Sequence, residues 1–359
     1  MRLVYLLSAF MPLALALKLA HASPALVFFS SALAVVPAAA LMSDATEQLS
    51  ARSGPGVAGL LNVTFGNAPE LIIAFFALLG GLQEVVKASL VGSVIGNALL
   101  VLGAAMLTGG RNRIRQRFDR TAAQTNSGLL LVTVTALILP AILVLARGGD
   151  LPTVGATHRS FGTDAEHLSL AVSVVMIAVY LAGLVFSLRT HRDLFRPEHD
   201  EESPQMMWSM RRAMLMLGLA GVLVGVMSEL LVGSIERASQ DLGVSQFFVG
   251  AFVVAIVGNA AEHYVAVVAA AKDKMDLAVN IALGSAAQIG LFVAPVLVLL
   301  SFVFGPAPMA LVFNGYELAA LIFAALLSTT LIADGESTWF EGVQLLAVYA
   351  LVGLVFFYA

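Results

Sequence analysis

Stretches of about 20 residues almost free of charge recur along this chain, and they dictate its architecture. A helix needs roughly 20 predominantly apolar residues to cross the hydrocarbon of a bilayer. Divided at its charge and Gly/Pro clusters, the chain offers such stretches at 3–20, 24–43, 57–80, 86–108, 127–146, 167–188, 213–234, 246–271, 277–302, 309–333 and 338–359. Their apolarity is continuous rather than alternating, which selects helices over a barrel. Only 12% of the residues are charged, against about 25% in a soluble domain, so there is too little polar sequence to cover a water-facing surface. The expected fold class is all-α: a polytopic integral membrane protein of eleven transmembrane helices. Cysteine is absent, which excludes disulfides and thiolate metal sites.

The basic residues set an orientation. With the N-terminus in the cytoplasm, the inside segments hold 14 of the 19 lysines and arginines, including Arg111, Arg113, Arg115, Arg117 and Arg120. The outside segments hold Lys18, Lys87, Arg147, Arg159 and Arg237. The positive-inside rule therefore predicts the N-terminus inside and the C-terminus outside, with an odd number of spans. The first span also has the features of a signal peptide, an early Arg2 and an "AHA" near its end; it is read as a retained helix. The net charge of −4 gives no pointer to nucleic acid, and none is expected as a partner. The chain carries no long N-terminal extension of eukaryotic type, so a prokaryotic plasma membrane is the expected location.

The chain is also internally duplicated. Displaced by 192 residues, Gly66, Asn67, Ala68 and Glu70 fall on Gly258, Asn259, Ala260 and Glu262, Glu84 falls on Asp276, and Gly92 and Ser93 fall on Gly284 and Ser285. The expected organisation is an extra helix in 1–23, a five-helix repeat in 24–189, a linker in 190–210 and a second five-helix repeat in 211–359. Five is odd, so the second repeat enters the membrane inverted. Inverted repeats characterise secondary transporters, whose substrate site lies at the midplane between the halves, often on broken helices. The linker contains an acidic run from Glu198 to Glu202, read as a solvated cytoplasmic loop.

Glu70 and Glu262 are the residues that demand a function. An ionisable group at the centre of a membrane helix costs about 2.5–3.5 kcal/mol or more, and here the cost is incurred twice, each time behind a Gly-Asn. Glycine and asparagine both disfavour helix interiors, and Pro69 removes a further backbone donor. The expectation is a broken helix that frees carbonyls near Gly66 and Gly258. Carboxylates, the Asn67 and Asn259 amides and free carbonyls form an all-oxygen set suited to a hard cation such as Ca²⁺. The next helix in each repeat adds Ser93 with Asn97 and Ser285 with Gln288, each pair on one helix face, as cation ligands or as interhelical hydrogen bonds. His263 points about 100° away from Glu262 on a regular helix and is read as a hydrogen-bond partner, with proton transfer as the alternative role.

The segments "ATEQLSARSGPGVAGLLNVTFGNAPELIIA", "GSVIGNALLVLG", "LRTHRDLF", "VGNAAEHYVAV", "GSAAQIGLFVAPVLV" and "IADGESTWFEG" resemble the Ca²⁺/H⁺ antiporters of the CAX type, within the wider cation/Ca²⁺ exchanger superfamily. The resemblance runs from about residue 40 to the C-terminus. It implies one extra helix plus two inverted groups of five, removal of cytosolic Ca²⁺ driven by protons, and Ca²⁺ binding by Glu70 and Glu262 supported by Ser285 and Gln288. Ca²⁺ and H⁺ are then substrates, with no cofactor. The acidic linker is short, which sets this chain apart from members regulated through an acidic segment. The competing readings are exchange of another cation (Na⁺ for Ca²⁺, or H⁺ for Mg²⁺) and a passive channel. An intramembrane acid enzyme is the third, and the repeat supplies no extra nucleophile for it.

Overall fold

A computed structural model describes residues 4–53, 61, 64–155, 163–190 and 208–359. Helices α2 (Pro24–Ser50), α4 (Gln83–Gly110), α5 (Arg120–Ala146), α6 (Asp164–Thr190), α7 (Met210–Leu242), α8 (Gln246–Ala271), α9 (Met275–Ser301) and α11 (Trp339–Tyr358) are long and apolar enough to cross a membrane. Three shorter apolar helices accompany them: α1 (Val4–Leu19), α3 (Ala68–Leu79) and α10 (Gly315–Leu331). The start of the expected 57–80 stretch and most of the 190–210 linker, with its acidic run, lie outside the described residues, as does Arg2.

Local chemistry explains most boundaries. Pro24 opens α2 at a position where its missing N–H costs nothing. Asp119 and Ser245 cap α5 and α8 by accepting the N–H of Ala122 and Phe248. Asn314 with Glu317, and Thr338 with Glu341, form reciprocal capping boxes. The first box is why α10 begins at Gly315 rather than near 309, as apolarity alone predicted; residues 309–314 run non-helically before it. Four π-helical segments interrupt the long helices: Gly96–Val101, Phe186–Thr190, Val249–Val254 and Ile289–Val293.

The expectation of a purely helical fold needs one amendment. A two-stranded antiparallel ribbon pairs β1 (Gln116–Arg117) with β2 (Glu336–Ser337). Arg115 and Arg117 both donate to Glu336, at 2.8 and 3.1 Å, and pin the α4–α5 loop to the α10–α11 loop. The strands are too short to leave an alternating pattern in the sequence.

The loops sort into two ends. At one end the ribbon sits with the α8–α9 turn, because Arg113 pairs with Asp273 at 3.1 Å and Asp276 accepts the Asp119 N–H. At the other, Gln83 donates to the Ala307 carbonyl at 2.7 Å, Lys87 to the Val312 carbonyl at 2.9 Å, and Glu84 accepts the Gly155 N–H. A cavity of about 590 Å³ at this second end is lined by Glu84, Lys87, Glu166, Glu236 and Glu317 among others.

Inside the bundle, α2 lies along α7, and the first half of α4 packs on the π-helical segment of α8. That second contact is backbone-close. A Cβ on Gly92 would stand 1.9 Å from the Ala251 carbonyl oxygen, and one on Gly250 would stand 2.9 Å from that of Val85. Gly284, the repeat counterpart of Gly92, has nothing within 4 Å of its would-be Cβ. Gly92→Ala is therefore expected to destabilise the fold by about 1–3 kcal/mol through overpacking, and Gly284→Ala to leave stability nearly unchanged. Thermal unfolding of the two purified variants in detergent checks this; equal midpoints would refute the packing argument.

Candidate functional site

The two Gly-Asn-x-x-Glu motifs meet. Each glycine lies one turn before its glutamate, on the same helix face, and each glycine faces the other motif's glutamate. A Cβ on Gly66 would lie 3.2 Å from Glu262 Oε1, and one on Gly258 would lie 3.2 Å from Glu70 Cγ. The glycines thus make room for the carboxylates at the crossing, and Glu70 feels the charge of Glu262.

Their local structures differ, and here the expectation of two broken helices is half corrected. In the first motif Asn67 is a turn with φ −94° and ψ 15°, and α3 starts after it at Ala68 with Pro69 in its first turn. In the second motif the helix is unbroken from Ala255 to Ala271. Gly258 and Asn259 do not open it, and no carbonyl is freed there by a break: Asn259 Nδ2 donates to the Ala255 carbonyl at 2.9 Å. Proline is the difference. It cannot donate and is best accommodated in the first turn of a helix, where Pro69 sits; Ala261 stands at its place in the second copy. The irregularity of the second copy falls earlier, in the Val249–Val254 segment.

Around the crossing a polar network joins the halves. Asn67 Nδ2 donates to Gln288 Oε1 at 2.8 Å. The Ser285 hydroxyl lies 2.6 Å from Glu262 Oε2 and 3.2 Å from Asn67 Oδ1, serving one acceptor at a time. Asn97 Nδ2 donates to Asn259 Oδ1 at 3.1 Å and to Ser285 Oγ at 3.3 Å. Asn259 Nδ2 also donates to Ser93 Oγ at 2.9 Å. The contacts obey the duplication: Asn67 meets Ser285 as Asn259 meets Ser93. Asn67, Asn97, Asn259, Ser93 and Ser285 are all buried.

Two side chains of this centre keep unpaired buried oxygens among the described residues, Glu70 and, at Oδ1, Asn97. Glu70 is buried, yet among the described residues neither of its carboxylate oxygens has a hydrogen-bond partner. A buried ionised carboxylate without a partner is costly. Among the described residues no group of three or more His, Cys, Asp or Glu side chains gathers to hold a metal; any further ligands at this centre are amide, hydroxyl or carbonyl oxygens. His263 stands apart from the network, with Nε2 buried and unpartnered.

A cavity borders the network at Gln288. Largely apolar and of about 470 Å³, it extends to Gly284 and Gln288 from Thr125 and Asn126 at the start of α5 and Ser187 at the end of α6. Two residues near this cavity went unmarked in the sequence: Asn126 Nδ2 donates to Asn280 Oδ1 at 2.9 Å. The duplication could not mark Asn280, because its counterpart position holds Ala88.

Helices crossing at a shared, buried polar centre with duplicated acidic motifs make a polytopic membrane transporter. The chain belongs to the family described as sodium/calcium exchanger protein, whose model matches residues 23–189 and 212–358. It is 42% identical over 377 residues to a Ca²⁺/H⁺ antiporter of Synechocystis, covering 99% of this chain and 97% of the relative. It is also 42% identical over 358 residues to the Ca²⁺/H⁺ antiporter ChaA of Bacillus subtilis, covering 98% and 97%. Among solved structures it is similar to native YfkE, with a TM-score of 0.83, 40% identity and 99% of each chain covered.

The network predicts a stability effect separable from any transport. Asn259→Ala strips Asn97 and Ser93 of a buried partner and is expected to destabilise by about 1–3 kcal/mol. Glu229→Gln, at an exposed position of α7, should leave the thermal midpoint in place. An Asn259→Ala midpoint equal to wild type would show that the network contributes nothing to folding.

Proposed function

We propose that this protein is a secondary active transporter that exchanges cytosolic Ca²⁺ for external H⁺ by alternating access, with Glu70 and Glu262 binding Ca²⁺ or protons. The observation that carries the reading is the pair of glutamates facing each other's glycines, one of them with two buried, unpartnered oxygens. The names of the relatives, Ca²⁺/H⁺ antiporters at 42% identity over nearly the whole chain, point to the same two substrates.

One cation satisfies both carboxylates; without it, two like charges in low dielectric favour protonation. Ca²⁺ accepts several oxygen ligands in flexible geometry, whereas Mg²⁺ demands a small octahedron and sheds water reluctantly. Asn67, Asn259, Ser93, Asn97, Ser285 and Gln288 position the carboxylates or supply further oxygens, with Gly66 and Gly258 giving them space. His263 lies on the same helix as Glu262 but outside the network, and its role is that of a buried neighbour on the proton route.

The proposed layout is eleven spans, one extra helix in 1–23 followed by inverted repeats in 24–189 and 211–359, joined by a cytoplasmic linker in 190–210. Helix ends support the offset: Pro24–Ser50 displaced by 192 ends at 242, where α7 ends, and α4 so displaced spans 275–302 against Met275–Ser301 for α9. The alternate sorting of loops supports consecutive crossings. The end with the ribbon carries Arg111, Arg113, Arg115, Arg117 and Arg120, which supports the proposal that it is the cytoplasmic end in a prokaryotic plasma membrane, with the N-terminus inside and the C-terminus outside.

Packing asymmetry supports alternation. On the far side of the centre from the ribbon, Gly92 is sealed against Ala251; on the near side its counterpart Gly284 faces the open cavity. Two copies of one element in opposite packing states are what an inverted-repeat carrier shows when its site opens to one side only. The cavity thus corresponds to an opening towards the cytoplasm.

The test is proton-driven Ca²⁺ uptake in everted vesicles. Glu70→Gln and Glu262→Gln should each reduce it at least about 100-fold, as loss of a charge-bearing ligand does. Wild-type transport by either variant, or uptake driven by a Na⁺ gradient but not by a pH gradient, would overturn the proposal. Because metal binding to these carboxylates releases protons, apparent Ca²⁺ affinity should fall as pH is lowered on the binding side. Affinity independent of pH between 5 and 8 would mean that the two ions do not share the site.

A further inference from the structure

The end of the bundle opposite the ribbon holds a second polar pocket, of about 360 Å³, remote from the central glutamates. Lys18 at the end of α1, His21 in the α1–α2 turn, Ser23 at the start of α2, and Ser234 and Arg237 of α7 line it. Three nitrogen bases from three elements converge there, and no acid is part of the lining. Among the described residues none of the three is in an ion pair. Lys18 and Arg237 are fixed cations with no carboxylate beside them among the described residues, and an anion in the concavity would serve both.

Two further features sharpen the ligand. His21 adopts φ 51°, in the left-handed region. It ends α1 in a Schellman pattern, with its N–H on the Lys18 carbonyl and the Ala22 N–H on that of Leu17, at the position where glycine is the usual and least strained occupant. A side chain kept there against backbone preference is one whose chemistry is used. Below the pocket, Leu26, Phe29 and Leu33 form an exposed apolar stripe along one face of α2, and Leu15 and Leu19 are exposed on α1. Apolar tracks leading away from a cationic pocket fit an amphiphile whose head is anionic and whose chains lie along the helix surface. Ser23 caps α2 without using its side chain, so the helix start adds unpaired N–H groups with their positive field.

We propose that this pocket binds the phosphate of an anionic phospholipid, held by Lys18, His21 and Arg237, with its acyl chains against Leu26, Phe29 and Leu33. The site is independent of what the central glutamates carry. Basic pockets at membrane interfaces recognise lipid head groups in this way, each Lys or Arg strengthening binding about fivefold.

The test compares phosphatidylglycerol, phosphatidylcholine and inorganic phosphate as additives to the delipidated full-length protein in neutral detergent, read by native mass spectrometry and by thermal midpoint. Wild type should retain phosphatidylglycerol in preference to phosphatidylcholine and gain several degrees from it. Lys18→Ala and Arg237→Ala should each weaken that binding about fivefold, and the double variant should lose the preference. His21→Gly should unfold at a higher temperature than wild type without lipid, because the turn is relieved, yet gain less from phosphatidylglycerol; this separates the lipid role from a folding role. A wild type without preference between the two lipids, a double variant with undiminished preference, or inorganic phosphate matching phosphatidylglycerol in stabilisation would each overturn the proposal.

Discussion

Two carboxylates can occupy the middle of a bundle only if the backbone gives way for them, and the reciprocal contact of Gly66 with Glu262 and of Gly258 with Glu70 is how this chain does it. Any larger residue at either glycine would press into the opposing side chain. The contact also fixes the register between the halves, since it places Asn67 beside Ser285 and Asn259 beside Ser93. The amide nitrogens of Asn67, Asn97 and Asn259 then each find an acceptor across the crossing or a helix away. Breaking a buried polar network leaves orphaned groups whose desolvation is not recovered, so the centre ties the helices of the two motifs together.

Much of this was legible because it rests on residue identity. A glutamate in an apolar run must answer for its cost wherever it sits, and a repeated glycine four residues before it marks a close approach. The helices follow from uninterrupted apolarity. The second motif was misread because Gly-Asn looks like a break, whereas the structure keeps α8 helical through Gly258 and Asn259. The Asn259 side chain bonds within its own helix, and no proline forbids continuation. The π-helical segments carry no composition signal at all. They arise where packing against a neighbour rewards an extra residue per turn, as where Val249–Val254 lies on α4. The ribbon at Gln116–Arg117 was hidden for the opposite reason: two residues are too few for a period. Glu317 is held in a capping box with Asn314, which ends the apolar run's claim on residues 309–314.

The duplication gives symmetry, and the differences between its copies give direction. Gly92 and Gly284 occupy equivalent places, yet one is sealed against a carbonyl and the other borders a cavity. Pro69 and Ala261 are equivalent too, and one stands in the first turn of a helix where the other lies inside an unbroken one. An object built from two like halves has two equivalent ways to pack them, and a structure showing one seal and one opening occupies one of the two.

Energetics bound what such a centre can do. Among the described residues the buried acids are Glu70 and Glu317, with Glu262 only partly exposed. Glu317 lines the cavity at the far end beside Lys87 rather than the central crossing. Exchange carried by Glu70 and Glu262 alone moves two protons for one divalent cation and is electroneutral, so the membrane potential contributes nothing. Each tenfold concentration step costs about 1.36 kcal/mol, so a 10⁴-fold Ca²⁺ gradient requires about two pH units. A third proton would recruit the potential, worth roughly 2.3 kcal/mol per 100 mV, but it needs a third titrating group coupled to the crossing. The distance in the fold between Glu317 and the two motifs therefore matters: one route for coupling is α4, whose first turn lines the far cavity with Glu84 and whose middle carries Ser93 and Asn97 into the network. Helix α8 also joins the two regions, since Gln246 lines the far cavity and Glu262 stands at the crossing.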